Sequence, residues 1–170
     1  MRLTLVLGGA RSGKSRFAES VIAALPPPWI YLATAEAGDA EMAERIAAHR
    51  ARRPDGWQTI EAPHDLAGAV AAAPADGALL VDCLTLWLAN RMLAEADLEA
   101  EIGRLEDALA RRAGAAVLVS NEVGCGIVPD NALARRFRDM QGWLNQRIAA
   151  RADRVVLMVA GVPLTVKGSP

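Results

Sequence analysis

A glycine-rich loop close to the amino terminus is the feature that most constrains how this 170-residue chain can fold. Residues 8–15 read Gly-Gly-Ala-Arg-Ser-Gly-Lys-Ser and match the pattern G-x-x-x-x-G-K-[ST] at every fixed position. An apolar run at residues 3–7 precedes the loop, and a helical pattern begins near Gly13. Glycines let the backbone curl until its N–H groups point inward at the positive end of a helix, where they can bind phosphate oxygens. The pattern therefore predicts a nucleotide-binding loop between a strand and a helix.

The residue types within the loop suggest which part of a nucleotide each one contacts. We expect Lys14 to reach the β- and γ-phosphates as a catalytic cation, and the Ser15 hydroxyl to bind Mg²⁺. Lysine is rare in this chain, which has only Lys14 and Lys167 against seventeen arginines. The chain's own residue frequencies put a chance match to the pattern at about one in a thousand. The predicted nucleotide-binding residues of the loop are Gly8, Gly9, Ala10, Arg11, Ser12, Gly13, Lys14 and Ser15.

Apolar runs of strand-forming residues alternate with longer segments of helical period along the chain. The runs are residues 3–7, 29–33, 78–82, 115–120 and 155–160, with a weaker, alternating run at 57–61. The helical segments are residues 14–24, 39–53, 65–73, 84–94, 97–113 and 130–151. This alternation predicts one α/β domain over residues 1–170, in which helices flank a mostly parallel sheet. Together with the loop at 8–15, it leads us to expect the fold of a P-loop NTPase of the RecA-like type.

Three local patterns refine this architecture. The link at 161–163 is too short for a parallel crossover, so the flanking runs, 155–160 and 164–167, are predicted to form an antiparallel hairpin at the C-terminal edge of the sheet. Residues 84–93 are apolar almost all round, which indicates either a buried helix or a subunit contact. Asp130 is predicted to cap the last helix. The apolar face of that helix carries Leu133, Phe137, Met140, Leu144 and Ile148.

An acidic residue ends one of the apolar runs. Asp82 follows four apolar residues, 78–81. Ligands of open α/β sheets bind beyond the carboxyl ends of the parallel strands. Beside a phosphate-binding loop, Asp82 is therefore predicted to hold Mg²⁺ together with Ser15. Many buried strands end in aspartate, so a purely structural Asp82 is the alternative.

Charge and composition argue against several classes of binding partner, cofactor and location. Nineteen basic and twenty acidic residues give a net charge of -1, so no overall field attracts nucleic acid or an anionic membrane. No apolar run approaches the ~20 residues that a membrane span needs, and the amino terminus lacks a signal-peptide cleavage site. Cys83 and Cys125 form neither a zinc motif nor a redox dithiol, and we expect two reduced thiols, with a disulfide between them as the alternative. The expected location is the cytoplasm.

One of the two histidines lies in a basic segment. If residues 39–53 are helical, His49 shares a face with neighbouring arginines at i, i+4 spacing. Like charge disfavours the cationic imidazole and leaves a neutral nitrogen that can act as nucleophile or base, although the nearby helix C-terminus acts in the opposite direction. The alternative is a solvated basic helix end with an incidental histidine. The other histidine, His64, is predicted to be a helix-entry residue without chemistry.

Several motifs occur in an order typical of one enzyme family. They are Gly-Gly-Ala-Arg-Ser-Gly-Lys-Ser at 8–15, Tyr-Leu-Ala-Thr at 31–34, Glu-Met-x-x-Arg-Ile-x-x-His-Arg at 41–50, Asn-Glu-Val-Gly-Cys-Gly-Ile-Val-Pro at 121–129, and Arg-x-Phe-Arg-Asp-x-x-Gly-x-x-Asn-Gln at 135–146. With them the chain resembles, over essentially its whole length, the bifunctional adenosylcobinamide kinase / adenosylcobinamide-phosphate guanylyltransferase family of cobalamin biosynthesis. The motifs at 41–50 and 121–129 are the ones most specific to that family.

The resemblance implies two reactions on one chain. A kinase step phosphorylates the aminopropanol hydroxyl of adenosylcobinamide with ATP or GTP. A transferase step then moves GMP from GTP onto adenosylcobinamide phosphate through a guanylylated histidine, here His49, and gives adenosylcobinamide-GDP and pyrophosphate. The resemblance also implies Mg²⁺ as cofactor and a trimeric homo-oligomer. The further nucleotide contacts that it implies are Thr34, Ala35, Glu36, Arg50, Ala51, Arg52, Arg53, Glu61 and Asp82.

Two other functions are compatible with the residues. One is a P-loop small-molecule kinase without nucleotidyl transfer, in which His49 is structural. The other is a RecA-like nucleotide-driven switch; the near-neutral charge and the lack of a basic stripe argue against a nucleic-acid partner, and the absence of an N-K-x-D motif argues against a small GTPase. Residues 121–129 are expected to form a mobile substrate loop, with Cys125 as a small loop residue rather than a nucleophile.

Overall fold

A computed structural model describes residues 2–36, 38, 44, 47 and 56–169 of the chain. Glu44 and Ala47 are helical, while the rest of the helix predicted at 39–53, with His49 and residues 50–53, lies outside the described residues. The strands are β1 (Leu3–Gly8), β2 (Trp29–Ala33), β3 (Trp57–Glu61), β4 (Ala78–Asp82), β5 (Ala116–Asn121), β6 (Arg154–Val159) and β7 (Val162–Lys167). The helices are α1 (Lys14–Ala23), α2 (Leu66–Ala72), α3 (Leu84–Leu93), α4 (Leu98–Arg111) and α5 (Ala132–Arg151).

The strands form one sheet in the order β3-β2-β4-β5-β1-β6-β7. Neighbouring strands are parallel, except that β6 and β7 form an antiparallel hairpin at one edge. The predicted mostly parallel sheet with flanking helices and the predicted C-terminal hairpin are therefore confirmed, and the weak run at 57–61 is the strand at the opposite edge. Because β5 lies between β4 and β1, the loops that follow these three strands lie side by side at the carboxyl edge of the sheet.

The two faces of the sheet carry different helices, because side chains alternate between the faces along each strand. On one face, α1 packs Ala18 and Ile22 against the strand residues Val6, Val117 and Val119. On the opposite face, α2 to α5 pack a larger apolar core against the sheet. The position of a residue within its strand therefore decides whether its side chain lies on the α1 face or on the opposite one.

The start of α5 differs from the sequence prediction. Asn131, and not Asp130, is the N-cap, and its side chain accepts a hydrogen bond from the Ala134 N–H at 2.8 Å. The prediction was wrong by one residue because either side chain can serve as a cap, and α5 begins at Ala132, which places Asp130 one position too early. Leu133 is 54% exposed, since only the later turns of α5 lie over the sheet, where Leu144 and Ile148 are fully buried.

Helix α3 is the segment that the sequence left open between a buried helix and a subunit contact. Within the described chain, Leu84, Trp87, Leu88 and Met92 are buried, whereas Leu93 at its end is 73% exposed. The Trp87 indole N–H, which needs a partner when buried, donates to the His64 carbonyl oxygen at 3.0 Å. The structure accounts for the apolar character of most of this helix by burial within one chain.

A buried carboxylate joins α4 to α5. Glu106 is 3% exposed and accepts hydrogen bonds from the guanidinium groups of Arg147 and Arg151, the latter at 3.0 Å. Burial by itself raises the pKa of Glu106, but the two arginines outweigh this effect and hold the pKa below its ordinary value. The carboxylate is therefore more strongly stabilised in the folded chain than in the unfolded one.

Replacing Glu106 with glutamine is expected to lower the free energy of unfolding by about 1–2 kcal/mol at pH 7, because both arginines lose a charged acceptor. A carboxylate whose folded-state pKa is lowered stabilises the protein above the unfolded-state pKa, and this contribution is lost as the pH falls through the folded-state pKa. The deficit should therefore shrink when urea unfolding is repeated below about pH 4. The control is Asp107→Asn at the exposed neighbour; equal deficits for the two variants, or a deficit independent of pH, would contradict this explanation.

Candidate nucleotide site

The glycine-rich loop joins β1 to α1 at the carboxyl edge of the sheet. Gly13 is the N-cap of α1 and has a φ of 91°, a left-handed conformation that glycine adopts without strain. A Cβ at Gly8 would lie 2.9 Å from the Met158 carbonyl oxygen, so a larger residue does not fit there. The Lys14 ammonium group turns back across the loop and donates to the Gly9 carbonyl oxygen at 3.0 Å. The loop thus has the position and the backbone form of a phosphate-binding loop.

Neighbouring parts of the fold hold this loop on two sides. The Glu122 N–H, just after β5, donates to the Gly8 carbonyl oxygen at 3.2 Å. In the turn between β6 and β7, the Gly161 N–H donates to the Ser12 carbonyl oxygen at 3.0 Å. The Ser12 hydroxyl is buried and makes no hydrogen bond within the described part of the chain. The loop is therefore fixed by its neighbours and retains a buried polar atom that a ligand can satisfy.

Asp82 lies at the carboxyl end of β4, on the same face of the sheet as α1. The Tyr31 hydroxyl, from neighbouring β2, donates to Asp82 Oδ2 at 3.0 Å and orients the carboxylate. Burial lowers the pKa of Lys14 from its ordinary value, and the nearby groups Cys83 and Asp82 counteract part of this effect. Lys14 and Asp82 therefore lie close enough to interact electrostatically.

Thr34 has a role that the sequence did not reveal. It is fully buried, and its hydroxyl donates to the Cys83 carbonyl oxygen and accepts from the Cys83 N–H, both at 2.7 Å. Its own N–H donates to the Asp82 carbonyl oxygen at 3.3 Å. The only proton of the hydroxyl is therefore used on the backbone that follows Asp82, and Thr34 connects the ends of β2 and β4.

The other predicted contacts lie farther along the same edge. Ala35 and Glu36 follow β2, and the Glu36 carboxylate lies 3.0 Å from His64 Nε2, with both side chains half exposed. Glu61 ends β3, which is separated from β1 by three strands. The structure thus groups the loop with Asp82, places Glu36 and Glu61 progressively farther from it, and leaves His49 and residues 50–53 undescribed.

Both cysteines are free thiols in the structure. Cys83 is buried, and burial together with the Asp82 charge raises its pKa to about 11. It is therefore protonated and poorly nucleophilic at neutral pH. Cys83 therefore lacks the environment of a reactive nucleophile. Cys125 is exposed in the segment 121–129.

The donor set fits a magnesium ion bound to a nucleotide. No group of three or more histidine, cysteine or acidic side chains that could enclose a metal occurs among the described residues. Mg²⁺ prefers oxygen donors, and in nucleotide sites it takes few of them from the protein, since waters and phosphate oxygens supply the rest. The Ser15 hydroxyl and the Asp82 carboxylate meet that requirement.

No described helix combines the length and apolar character that crossing a membrane requires.

Sequence reasoning missed a buried polar cluster beside the site. The Ser120 hydroxyl donates to Asn145 Oδ1 at 2.7 Å, and Gln141 Nε2 donates to Ser120 Oγ at 2.9 Å. Gln141 and Asn145 lie four residues apart on α5, next to the buried Leu144. This i, i+4 spacing next to an apolar residue was the available signal, but polar side chains on a helix are usually solvated.

A parallel sheet with a phosphate-binding loop after its first strand, and with an aspartate at the end of the strand two places away, defines a P-loop nucleotide-binding protein. Two solved structures share the fold over 99% of this chain. The flagellar accessory protein FlaH from Methanocaldococcus jannaschii has a TM-score of 0.55 at 11% identity, with 79% of that chain covered. The Pyrococcus horikoshii OT3 protein of Project ID PH0250 has a TM-score of 0.59 at 9% identity, with 87% covered. At these identities the likeness concerns the fold alone.

Comparison of sequences identifies the family within this class. Residues 4–166 match the sequence model of the cobinamide kinase / cobinamide phosphate guanyltransferase family. The bifunctional adenosylcobalamin biosynthesis protein CobP of Pseudomonas aeruginosa is 51% identical over 169 residues, which cover 98% of each chain. The corresponding CobU protein of Salmonella typhimurium is 43% identical over 182 residues, which cover 97% of this chain and 99% of the relative. The chain belongs to this family of bifunctional transferases, and the resemblance seen in the sequence is confirmed.

Proposed function

We propose that the chain phosphorylates adenosylcobinamide with ATP or GTP and then transfers GMP from GTP to adenosylcobinamide phosphate through guanylylated His49. The products of the second step are adenosylcobinamide-GDP and pyrophosphate. The observation that carries the kinase half is the convergence of the glycine-rich loop, Lys14 and Asp82 at one edge of the sheet. Membership of the family supports the guanylyl-transfer half.

In the kinase step, the N–H groups of the loop and the Lys14 ammonium bind the β- and γ-phosphates of the nucleotide. A cation at Lys14 offsets negative charge on the transferring phosphoryl group and on the leaving diphosphate. The Ser15 hydroxyl and the Asp82 carboxylate would hold Mg²⁺, which when bound neutralises charge on the phosphate oxygens. Farther along the edge, Ala35, Glu36 and Glu61 would border the space for the rest of the nucleotide, and the buried Thr34 would act by holding the backbone that follows Asp82.

In the transferase step, the neutral imidazole of His49 attacks the α-phosphorus of GTP. A nitrogen–phosphorus bond forms while the bond to the bridging oxygen breaks, and the electron pair of that bond leaves with pyrophosphate. A phosphate oxygen of the acceptor then attacks the same phosphorus, the nitrogen–phosphorus bond breaks, and neutral imidazole is regenerated. Arg50, Arg52 and Arg53 lie within four residues after His49 in the sequence and would offset charge on the α-phosphate oxygens.

We further propose a single domain over residues 1–170, a homotrimer, and a cytoplasmic location. The family match over residues 4–166 supports the single domain, and the family resemblance supports the trimer. Two free cysteines and a need for nucleoside triphosphates support the cytoplasm. Sedimentation of the purified chain, with and without nucleotide, tests the oligomeric state.

Labelled GTP distinguishes the two reactions. With γ-labelled GTP and adenosylcobinamide, the label is expected on the corrin product. With α-labelled GTP alone, the label is expected to stay on the denatured protein, to be lost in acid as phosphoramidates are, and to leave the native protein when adenosylcobinamide phosphate is added.

Other outcomes support the alternative functions. Transfer of the γ-label without any α-label on the protein would reduce the assignment to a kinase. Nucleotide hydrolysis that is stimulated by DNA and unaffected by cobinamide would favour a nucleotide-driven switch.

Replacing Tyr31 with phenylalanine is expected to raise the Mg²⁺ concentration for half-maximal kinase activity about three- to ten-fold, because the Asp82 carboxylate loses the hydroxyl that orients it. The ring itself remains, so packing against Trp57 is kept. Titration of activity with Mg²⁺, and of Mn²⁺ binding in the presence of a non-hydrolysable nucleotide, measures the effect. Identical metal dependence in the parent and the variant would show that Asp82 needs no such orientation.

A further inference from the structure

The backbone of Asn121, the last residue of β5, is held by side chains from two helices. Its N–H donates to the Thr85 hydroxyl of α3 at 2.8 Å. Its carbonyl oxygen accepts from Asn145 Nδ2 of α5 at 3.1 Å. The next N–H along the chain, that of Glu122, donates to Gly8 at the base of the phosphate-binding loop. The position of Asn121 relative to that loop is therefore fixed from three directions.

Helix α5 contributes polar side chains to its contact with the end of β5, although they lie inside the protein. Ser120 and Gln141 are completely buried, Asn145 nearly so, and Gln141 Nε2 also donates to Asn145 Oδ1 at 3.0 Å. Burying three polar side chains is unfavourable unless they bond to each other. An apolar cluster would fill the same space without orienting the strand end. The cluster's outward bond goes to the Asn121 carbonyl oxygen, so it orients that residue.

The direction of the Asn121 side chain follows from the strand. The Ser120 side chain lies on the α5 face, and successive side chains alternate. The Asn121 carboxamide therefore lies on the α1 face, the face that also carries Asp82. Asp82 is paired with Val119 and Asn121 with Gly8, so Asn121 lies two residues, roughly 7 Å, farther toward the carboxyl edge than Asp82.

We propose that Asn121 is a catalytic residue of the kinase step, whose carboxamide N–H donates to an oxygen of the γ-phosphoryl group. This proposal rests on the proposed kinase function. In that step the acceptor hydroxyl oxygen bonds to the γ-phosphorus while the bond to the β–γ bridging oxygen breaks. The electron pair leaves with the nucleoside diphosphate, and the hydroxyl proton is released to water. A neutral donor on β5, the strand between those that carry Asp82 and the loop, stabilises charge on the transferring group without adding a further cation beside Lys14 and Mg²⁺.

The test compares Asn121→Ala and Asn121→Asp with a matched control. Asn131→Asp makes the same chemical change in the same connection between β5 and α5, and aspartate keeps the cap of α5. For Asn121→Ala, kcat of phosphoryl transfer is expected to fall about 10²-fold, with KM for nucleotide within three-fold of the parent. Asn121→Asp is expected to fall further, because its charge opposes the phosphate. The control should keep kcat within two-fold.

Two further measurements separate catalysis from folding and from the proposed function. Thermal unfolding and the affinity for a non-hydrolysable nucleotide should be unchanged in Asn121→Ala, because only the side chain beyond Cβ is removed and the backbone contacts remain. A kcat within three-fold of the parent, or a loss of nucleotide affinity with kcat unchanged, would overturn the assignment of Asn121. A parent protein that transfers no γ-label to adenosylcobinamide would instead overturn the proposed kinase function.

Discussion

Turnover of the kinase step is expected to fall ~10²-fold or more when Lys14 is replaced by alanine, with the fold intact. The ammonium group lies across the loop, where it donates to the Gly9 carbonyl oxygen, and burial lowers its pKa. An ammonium group in a desolvated position interacts more strongly with the phosphate of a ligand than an exposed one does, since the surrounding protein screens the charge less than water does. The apo protein should tolerate the loss of this group, because the unliganded state gains little from a partly desolvated cation.

The chain supplies a matched control for this variant. Lys167 is the other lysine, and its Nζ donates to the carbonyl oxygens of Ala149 and Ala150 near the end of α5. Lys167→Ala removes the same charge away from the loop and should leave kcat unchanged. Rates from γ-label transfer at saturating nucleotide, together with thermal unfolding of both variants, measure the difference. Lys14→Ala with near-parental kcat would refute the role assigned to Lys14.

Lys14→Arg adds a second comparison. The guanidinium group keeps the charge but is broader than an ammonium group. Poor rescue of kcat by arginine is expected if a compact cation has to fit beside the phosphate chain. Good rescue would indicate that charge alone matters at this position.

The elements of the fold could be predicted because each one depends on local signals. Buried parallel strands are continuous apolar runs, and the loop at 8–15 carries its own pattern. Side-chain contacts between distant residues left no comparable signal. Tyr31 meets Asp82 across 51 residues and Thr34 meets Cys83 across 49. Such contacts follow from strand order, which a single sequence does not specify.

The polar residues of the core were the second feature that the sequence did not predict. Gln141 and Asn145 have the composition of a solvated helix face, yet both are buried because Ser120 lies opposite them. The position of Asn121 depends on that pairing, so the periodicity of the sequence could not predict it. For His49 the situation is different. The neighbouring arginines alone left its role open, and the resemblance to a known family assigned one.

Replacing His49 with alanine or asparagine is expected to abolish protein labelling by α-labelled GTP while γ-label transfer to adenosylcobinamide continues. The imidazole is the only group that the proposal connects covalently to GMP, and neither replacement offers a comparable nucleophile. Loss of labelling should therefore be complete rather than graded, and formation of adenosylcobinamide-GDP should stop at adenosylcobinamide phosphate.

His64 is the other histidine and provides the control. Its ring contacts Glu36 at 3.0 Å and is half exposed, so His64→Ala tests whether any imidazole at this edge can carry the label. His64→Ala should be labelled like the parent. Labelling that survives in His49→Ala, or disappears in His64→Ala, would move the covalent step to another residue. Both activities are measured with GTP, and only the labelled phosphate differs. A variant that retains one activity and loses the other is therefore folded and binds nucleotide. A His49 variant that keeps the kinase activity and loses the transferase activity would therefore show most directly that the two reactions use different residues of this chain.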